Sequence, residues 1–211
     1  MKLRNNKFSV LEQKMSEEMI LSKMISFVTG EPKARDVAKK LIDEFSTLRN
    51  VLCADVYKLS TVVHDEKQVL EILDLFKSIL SSILYFRIDR TDVINSRDKL
   101  IDYLKFKIGG LSTEQSRVLY LNKKNMLLAD EVISEGTLDT VSYHPREIVR
   151  KAIFHGSSSI IIVHNHPSGD PKASQNDLII TDKIIKACDV FGISVHDHII
   201  ISKNGYFSCL S

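Results

Sequence analysis

Cysteine is scarce in this chain of 211 residues, which narrows the classes of protein to consider. Cys53, Cys188 and Cys209 are scattered and odd in number, and no Cys-x-x-Cys motif occurs. This pattern argues against a disulfide framework. We therefore expect reduced thiols, most of them packed in cores, in a cytoplasmic protein.

Long apolar runs and an excess of one charge are also absent. The first 26 residues mix charged with apolar side chains, so we expect no signal peptide, and no run approaches the length of a membrane span. The formal net charge of +2 favours neither a nucleic-acid binder nor an enzyme for acidic substrates. With 44% hydrophobic residues, the chain can fill one large or two small cores.

The N-terminal part of the chain has the apolar periodicity of helices. Residues 9–86 contain three amphipathic stretches in which apolar side chains recur at helical spacing. The polar and charged segment 87–95 separates two helical patterns, as a linker does. We therefore predict a small all-helical domain over residues 1–90 and a second domain over residues 91–211.

The second domain is predicted to be α/β with a mixed sheet, because helix and strand patterns alternate along it. Two strands are expected at about residues 117–122 and 126–134. Pro145 then begins a helix, at a position where its missing N–H group costs nothing. After a further strand and helix, a strand over residues 194–202 and a short last one complete the expected order.

The most informative stretch covers residues 160–177. Four β-branched residues predict a short buried strand that leads to His164 and His166, whose side chains share one face because they are two positions apart. A tight Pro-Ser-Gly-Asp-Pro loop then leads to a helix that opens with Ser174 and Asp177. Two imidazoles and a carboxylate suit zinc with a fourth position left for water, as in catalytic sites.

Each part of this stretch also has a simpler interpretation. A His-x-His pair on a strand is commonly a packing feature, and Ser174 and Asp177 fit a capping box at a helix N-terminus. The inward face of the helix is marked by apolar residues at helical spacing, namely Ile180, Ile184, Ala187 and Phe191. Asp177 lies three positions before the first of them, so its carboxylate is expected on the core side, where it needs a neutralising partner.

This stretch resembles the JAMM (JAB1/MPN) metalloprotease motif in the version carried by the RadC family. The likeness rests on His164-Asn-His166-Pro-Ser-Gly and Ser174-x-x-Asp177, and it extends over residues 95–211. Four further segments contribute to it: Val118-Leu-Tyr-Leu-Asn, Gly136-Thr-Leu, His144-Pro-Arg-Glu147 and Asp197-His198-Ile-Ile-Ile. The resemblance implies a JAMM/MPN-like domain of cytidine-deaminase-like fold, in which His164, His166, Asp177 and a water hold Zn2+ and an earlier glutamate is the general base.

Three upstream residues are candidates for that base: Glu114, Glu131 and Glu135. The resembled family has its glutamate just before the first strand, which favours Glu114, whereas Glu131 alternates within the second strand and Glu135 precedes a glycine turn. The resemblance further implies hydrolysis of an amide or isopeptide bond in a peptide substrate. Ser174 would then offer its hydroxyl to the developing oxyanion.

A second His-x-His pair, His196-Asp-His198, is also predicted on a strand with both rings on one face. No Ser-x-x-Asp follows it, so we interpret His198 as a neighbour of the metal site and not as a ligand. His144 and His155 are expected at the two ends of the helix that Pro145 begins, and neither is a metal candidate.

The helical domain resembles, in outline only, the helix-hairpin-helix domain that precedes the metal domain in the RadC family. Such a domain binds DNA phosphates through backbone N–H groups of a glycine-containing turn. No glycine occurs between Gly30 and Gly109, and the expected turn, residues 62–67 with an exposed His64, carries two acids that repel phosphate. Two alternatives to the hydrolase stay open: a DNA-associated RadC-type protein of repair or recombination, and a non-catalytic metal-binding scaffold.

Overall fold

The computed structural model describes residues 15–64, 66–89, 91–136 and 144–210. The chain divides into two units, Met1–Phe76 and Lys77–Ser211. Two features named above fall outside the described residues: the start of the first amphipathic stretch, and Thr137 with Leu138 of one RadC-like segment. Asp65, one of the two turn acids, also lies outside them.

The first unit is helical, as the apolar periodicity predicted. Its helices are α1 (Glu17–Thr29), α2 (Glu31–Phe45), α3 (Leu48–Cys53), α4 (Val56–Val63) and the first part of α5 (Lys67–Asp89). The apolar periodicity did not predict the short α3 and α4 as separate helices. Each begins at its own N-cap: the Thr47 side chain accepts from the N–H of Asn50, and the Asp55 side chain accepts from the N–H of Lys58. Among the described residues, no helix combines the length and apolarity needed to cross a membrane.

The turn between α4 and α5 contains a residue with positive φ although it contains no glycine. His64 is exposed there, as predicted, and its φ of 51° is positive although it is not a glycine. Glu66, one of the acids of this turn, forms an ion pair with Lys33 at 2.6 Å. The absence of glycine therefore does not by itself exclude the backbone conformation of a phosphate-binding turn.

The second unit contains the predicted mixed sheet. Its further elements are α6 (Arg97–Ile108), β1 (Glu114–Leu121), β2 (Leu127–Gly136), α7 (Pro145–Phe154), β3 (Ser159–Asn165), α8 (Gln175–Asp189), β4 (Ser194–Ser202) and β5 (Gly205–Ser208). The strand order is β2-β1-β3-β4-β5, and β3 and β4 are parallel whereas the other pairs are antiparallel. The domain limit predicted at residue 90 stays a prediction, and the second unit described here begins earlier, within α5.

The central strand β3 is buried along its whole length and contributes to a core on each face of the sheet. Ile161 and Val163 pack in the core that includes α6, and Ile160 and Ile162 pack in the core that includes α7 and α8. Since side chains alternate along a strand, His164 follows Ile160 and Ile162 on the α8 side. His164, near the end of this mainly apolar strand, therefore lies on the face of the sheet that packs against α8, the helix that carries Asp177.

Two limits of these elements differ from the predictions. The first strand begins at Glu114, so this glutamate is a strand residue and does not lie ahead of the strand. The prediction that Phe191 lies on the inward face of α8 is wrong, because the helix ends at Asp189 and Phe191, beyond it, is 58% exposed. Ile184 is fully buried, so the orientation inferred for the start of the helix is right.

The prediction that the rings of His196 and His198 share a face is wrong. A register irregularity in the β3–β4 pairing pairs Ile160 with Val195 but Ile161 with Asp197, which leaves His196 as an extra residue. His196 is exposed with its Nε2 atom 3.0 Å from Oδ1 of Asn125, whereas His198 is fully buried. A bulge breaks the two-residue alternation on which the prediction depended.

Candidate metal centre

Three elements bring titratable side chains to one edge of the sheet. The antiparallel pairing of β1 with β3 sets Ser116 opposite His164, so the start of β1, with Glu114, lies beside the end of β3. The loop after β3 carries His166, and α8 begins shortly afterwards with Asp177 in its first turn. Every residue predicted from the sequence for the site is therefore found at this edge.

The ligand atoms lie close together. The Nε2 atoms of His164 and His166 are 2.9 Å apart. The carboxylate of Asp177 places Oδ1 at 3.4 Å from Nε2 of His164 and Oδ2 at 3.7 Å from Nε2 of His166. The Oε1 atom of Glu114 is 3.8 Å from Nε2 of His164. Two acids thus approach the same pair of imidazole nitrogens from two different elements.

The spacing and the donor types fit a zinc ion. Ligand atoms about 2.0 Å from a tetrahedral zinc lie roughly 3.3 Å from one another, and the separations above run from 2.9 Å between the two nitrogens to 3.8 Å between nitrogen and oxygen. Both imidazoles direct Nε2 at the site, since Nδ1 of His166 lies 2.8 Å from the carbonyl oxygen of Asp170 and Nδ1 of His164 lies 2.8 Å from Nε2 of His198. Two lone pairs at 2.9 Å repel each other unless a proton or a metal cation lies at them.

Two sets of three ligands are compatible with this geometry. The set predicted from the sequence is His164, His166 and Asp177. The ligand atoms of Glu114, His164 and His166 also all lie within 4.8 Å of one another and form a second possible set. The histidines are common to both sets, and the third ligand distinguishes them.

The capping box formed by Ser174 and Asp177 is compatible with a metal-binding role of the Asp177 carboxylate. The Ser174 hydroxyl accepts from the N–H of Asp177 at 3.2 Å, and the Ser174 N–H donates to Oδ2 of Asp177 at 2.7 Å, which completes a capping box. The same hydroxyl donates to that Oδ2 atom at 2.6 Å. Oδ1 of Asp177 remains directed at His164, so the cap orients the carboxylate toward the site.

The electrostatics indicate the charge states of Asp177 and His164. Burial raises the pKa of Asp177, but the neighbouring imidazole of His166 and the hydrogen bonds from Ser174 outweigh it and bring the pKa below its ordinary value. Burial, assisted by His198, lowers the pKa of His164 to about 3. The nearby carboxylate of Asp177 raises the pKa of His166, and burial raises that of Glu114. The centre therefore combines an ionised carboxylate with a neutral imidazole at neutral pH.

The other two candidate glutamates lie elsewhere. Glu131 is paired with Lys151 at 2.5 Å and with His155 at 2.7 Å, on the α7 side of the sheet. Glu135 is exposed near the end of β2. Of the three glutamates considered, Glu114 is the one whose carboxylate approaches His164.

Sequence reasoning missed two residues that support the centre and left the role of a third undefined. The side chain of Asn165 bonds to the backbone of Thr113 and of Gln115. Thr181 lies one turn after Asp177, and its hydroxyl is 2.5 Å from Nδ1 of His198. His198, which was expected near the site, has its Nε2 atom 2.8 Å from Nδ1 of His164. Thr181 could have been found from its place one turn after Asp177.

The fold and the site together define a mixed α/β domain in which a His-x-His and a Ser-x-x-Asp motif form a candidate metal centre at one end of the sheet. The family model described as the RadC-like JAB domain matches residues 94–211, and the chain belongs to this family. A UPF0758 protein of Ruegeria pomeroyi is 39% identical over 170 residues, which are 81% of this chain and 76% of that protein. A UPF0758 protein of Rhodobacter capsulatus is 37% identical over 169 residues, 80% and 79% of the two chains.

Proposed function

We propose that this chain is a zinc-dependent hydrolase of peptide or isopeptide bonds. The observation that supports it best is the convergence of His164, His166 and Asp177 on one point, with Glu114 beside them. The RadC-like JAB membership of residues 94–211 agrees with a metal-dependent hydrolase fold. The two histidines and Asp177 would hold the zinc ion, which would supply a Lewis acid and lower the pKa of a bound water to near neutral.

Glu114 is proposed as the general base. Burial raises the pKa of its carboxyl, which brings the group closer to the range in which it can both take and release a proton. Its position 3.8 Å from Nε2 of His164 leaves it near the ligand atoms without direct contact. In this proposal it accepts the proton of the attacking water and transfers it to the leaving amine.

Ser174 is proposed first as the residue that orients Asp177. Its hydroxyl hydrogen is donated to Oδ2 of Asp177, so an oxyanion role requires that this bond be exchanged for one to the substrate. The oxyanion role expected from the sequence therefore remains a proposal, and it predicts that the hydroxyl turns when substrate binds.

A direct experiment is to purify the protein, measure its zinc content and screen it against libraries of peptides and of isopeptide-linked peptides. The proposal expects one zinc ion per chain and cleavage that is abolished by Glu114→Gln. Metal content without any cleavage would favour the metal-binding scaffold instead. Absence of bound divalent metal after zinc reconstitution would remove the hydrolase proposal.

A DNA-associated role remains a second proposal, because the positive φ of His64 in the α4–α5 turn removes the objection that this turn contains no glycine. A gel shift with duplex DNA at rising salt concentration tests it, because binding through phosphates weakens steeply as salt is added. No shift even at low salt would remove this role. His64→Pro, which cannot adopt a positive φ, is the matching variant.

A further inference from the structure

A line of three hydrogen-bonded side chains runs from the metal centre into the protein interior. Nδ1 of His164 lies 2.8 Å from Nε2 of His198, and Nδ1 of His198 lies 2.5 Å from the hydroxyl oxygen of Thr181. That hydroxyl lies 2.5 Å from the main-chain carbonyl oxygen of Asp177. All three side chains are buried, and at most 3% of any of these residues is exposed.

The chemistry of the last group fixes the direction of every bond in the line. A carbonyl oxygen can only accept, so the single hydroxyl hydrogen of Thr181 is donated to Asp177. The hydroxyl oxygen must then accept from Nδ1–H of His198. Burial disfavours a charged ring, and a neutral imidazole has one N–H group, so Nε2 of His198 is left as an acceptor for Nδ1–H of His164.

We propose that Thr181 and His198 are positioning residues that fix His164 as its Nδ1–H tautomer, so that the Nε2 lone pair faces the centre before any metal arrives. This inference deepens the proposed function and rests on it for its biological meaning. The hydrogen bonds that support the inference form between protein groups and do not require a bound metal. The opposite tautomer would present an N–H group to the cation and could not bind it.

The two histidines of the centre reach this state by different routes. His166 donates directly to the main-chain carbonyl of Asp170 at 2.8 Å. His164 ends a central strand between two cores, and its ring is directed by the carbonyl of Asp177 through two intervening side chains. The first turn of α8 therefore provides both the carboxylate of the centre and the group that selects the tautomer of His164.

Tautomers can be read directly from the nitrogen chemical shifts of the rings. In metal-free protein labelled with ¹⁵N-histidine, a long-range ¹H–¹⁵N spectrum is expected to show protonated Nδ1 and unprotonated Nε2 for both His164 and His198. The exposed His196 serves as an internal reference that should not respond to the variants below. An Nε2–H signal from either buried ring in the wild-type protein would overturn the proposal.

Substitution of Thr181 tests the origin of the selection. Thr181→Val has the same shape without the hydroxyl, and we expect it to release His198 and His164 to the other tautomer. Zinc affinity, measured by competition with a chelator, should fall by about 10- to 100-fold, the usual effect of losing an outer partner of a ligand. Thr181→Ser keeps the hydroxyl, so its histidine tautomers and its zinc affinity should match those of the wild type.

The outcomes separate this inference from the proposed function. A Thr181→Val variant whose tautomers and zinc affinity match those of the wild type would contradict the inference. Wild-type protein with the expected tautomers and bound zinc, but without any cleavage, would contradict the hydrolase proposal and leave the inference supported. If Thr181→Val does not fold, the wild-type spectrum still tests the tautomers, and Thr181→Ala, which also lacks the hydroxyl, replaces it in the test of their origin.

Discussion

Asn165 holds the main chain on both sides of Glu114. Its Oδ1 atom accepts from the N–H of Gln115 at 2.8 Å, and its Nδ2 group donates to the carbonyl of Thr113 at 3.0 Å. Asn165 is almost fully buried at the end of β3, between the two histidines of the centre. One amide side chain therefore links the start of β1 to the strand that carries His164.

Replacing this amide should loosen the start of β1. Asn165→Ala leaves the Gln115 N–H and the Thr113 carbonyl without their partner, at a cost of about 1–3 kcal/mol in unfolding free energy. For a chain of this size we expect the melting temperature to fall by roughly 2–4 °C per kcal/mol, with faster amide hydrogen exchange at Gln115. Asn95→Ala, at an exposed asparagine, is the control. Unchanged exchange at Gln115 would argue against the clamp.

Loss of His164 should empty the centre of zinc. His164→Ala removes a ligand nitrogen, and the affinity for zinc should fall by more than the roughly 10- to 100-fold that loss of an outer partner costs. His196→Ala is a matched control, because this histidine belongs to the other His-x-His pair and is exposed. Equal zinc content in the His164→Ala variant and the wild type, measured by elemental analysis, would exclude His164 as a ligand.

The third ligand can be identified from two carboxylate variants. Asp177→Asn should lose zinc, whereas Glu114→Gln should keep zinc and lower any hydrolysis by about 100- to 10,000-fold, the usual contribution of a general base. Glu131→Gln is the control, since Glu131 is paired with Lys151 and His155 instead. The opposite pattern, with zinc lost only in Glu114→Gln, would make Glu114 the ligand.

Zinc affinity should increase with pH in the histidine range. The nearby carboxylate of Asp177 raises the pKa of His166, so in the metal-free protein the His166 proton stabilises the fold below the ordinary pKa, and this stabilisation is lost as pH rises through the raised value. Zinc must displace that proton, which predicts a gain of about tenfold per pH unit below the raised pKa. The zinc affinity can be measured at each pH by competition with a chelator whose own affinity is calibrated at that pH. An affinity that does not change with pH would contradict the prediction.

The C-terminal unit should need the end of α5. Ile88 is fully buried and packs in the core that contains Leu100 and Leu104 of α6. A fragment of residues 91–211 lacks Ile88, and we expect it to be less stable than a fragment of residues 77–211 by about 2–5 kcal/mol, as for large-to-small core substitutions. Ile88→Ala in the longer fragment should reproduce most of this loss. Equal melting temperatures would support the limit predicted at residue 90.

Local sequence patterns were sufficient to predict most of the secondary structure and the candidate metal-binding residues. The apolar periods of helix and strand predicted the helical first unit and the mixed sheet of the second, because those periods depend on neighbours a few residues away. The spacing of His164 and His166 and the Ser174–Asp177 pair placed the candidate ligands on adjoining elements for the same reason. The resemblance to the RadC family came from these same motifs.

The tertiary structure decided what depends on register and on distant contacts. The bulge at His196 separates two rings that regular alternation would have placed together. The bonds of Asn165 to the segment around Glu114, and of His198 to His164 and Thr181, join residues that are far apart in sequence. No local period encodes such pairings, since they follow from which strands become neighbours and at which register they pair. The sequence thus determined the types of the candidate ligands, but their orientation depends on the packing of α8 against the sheet.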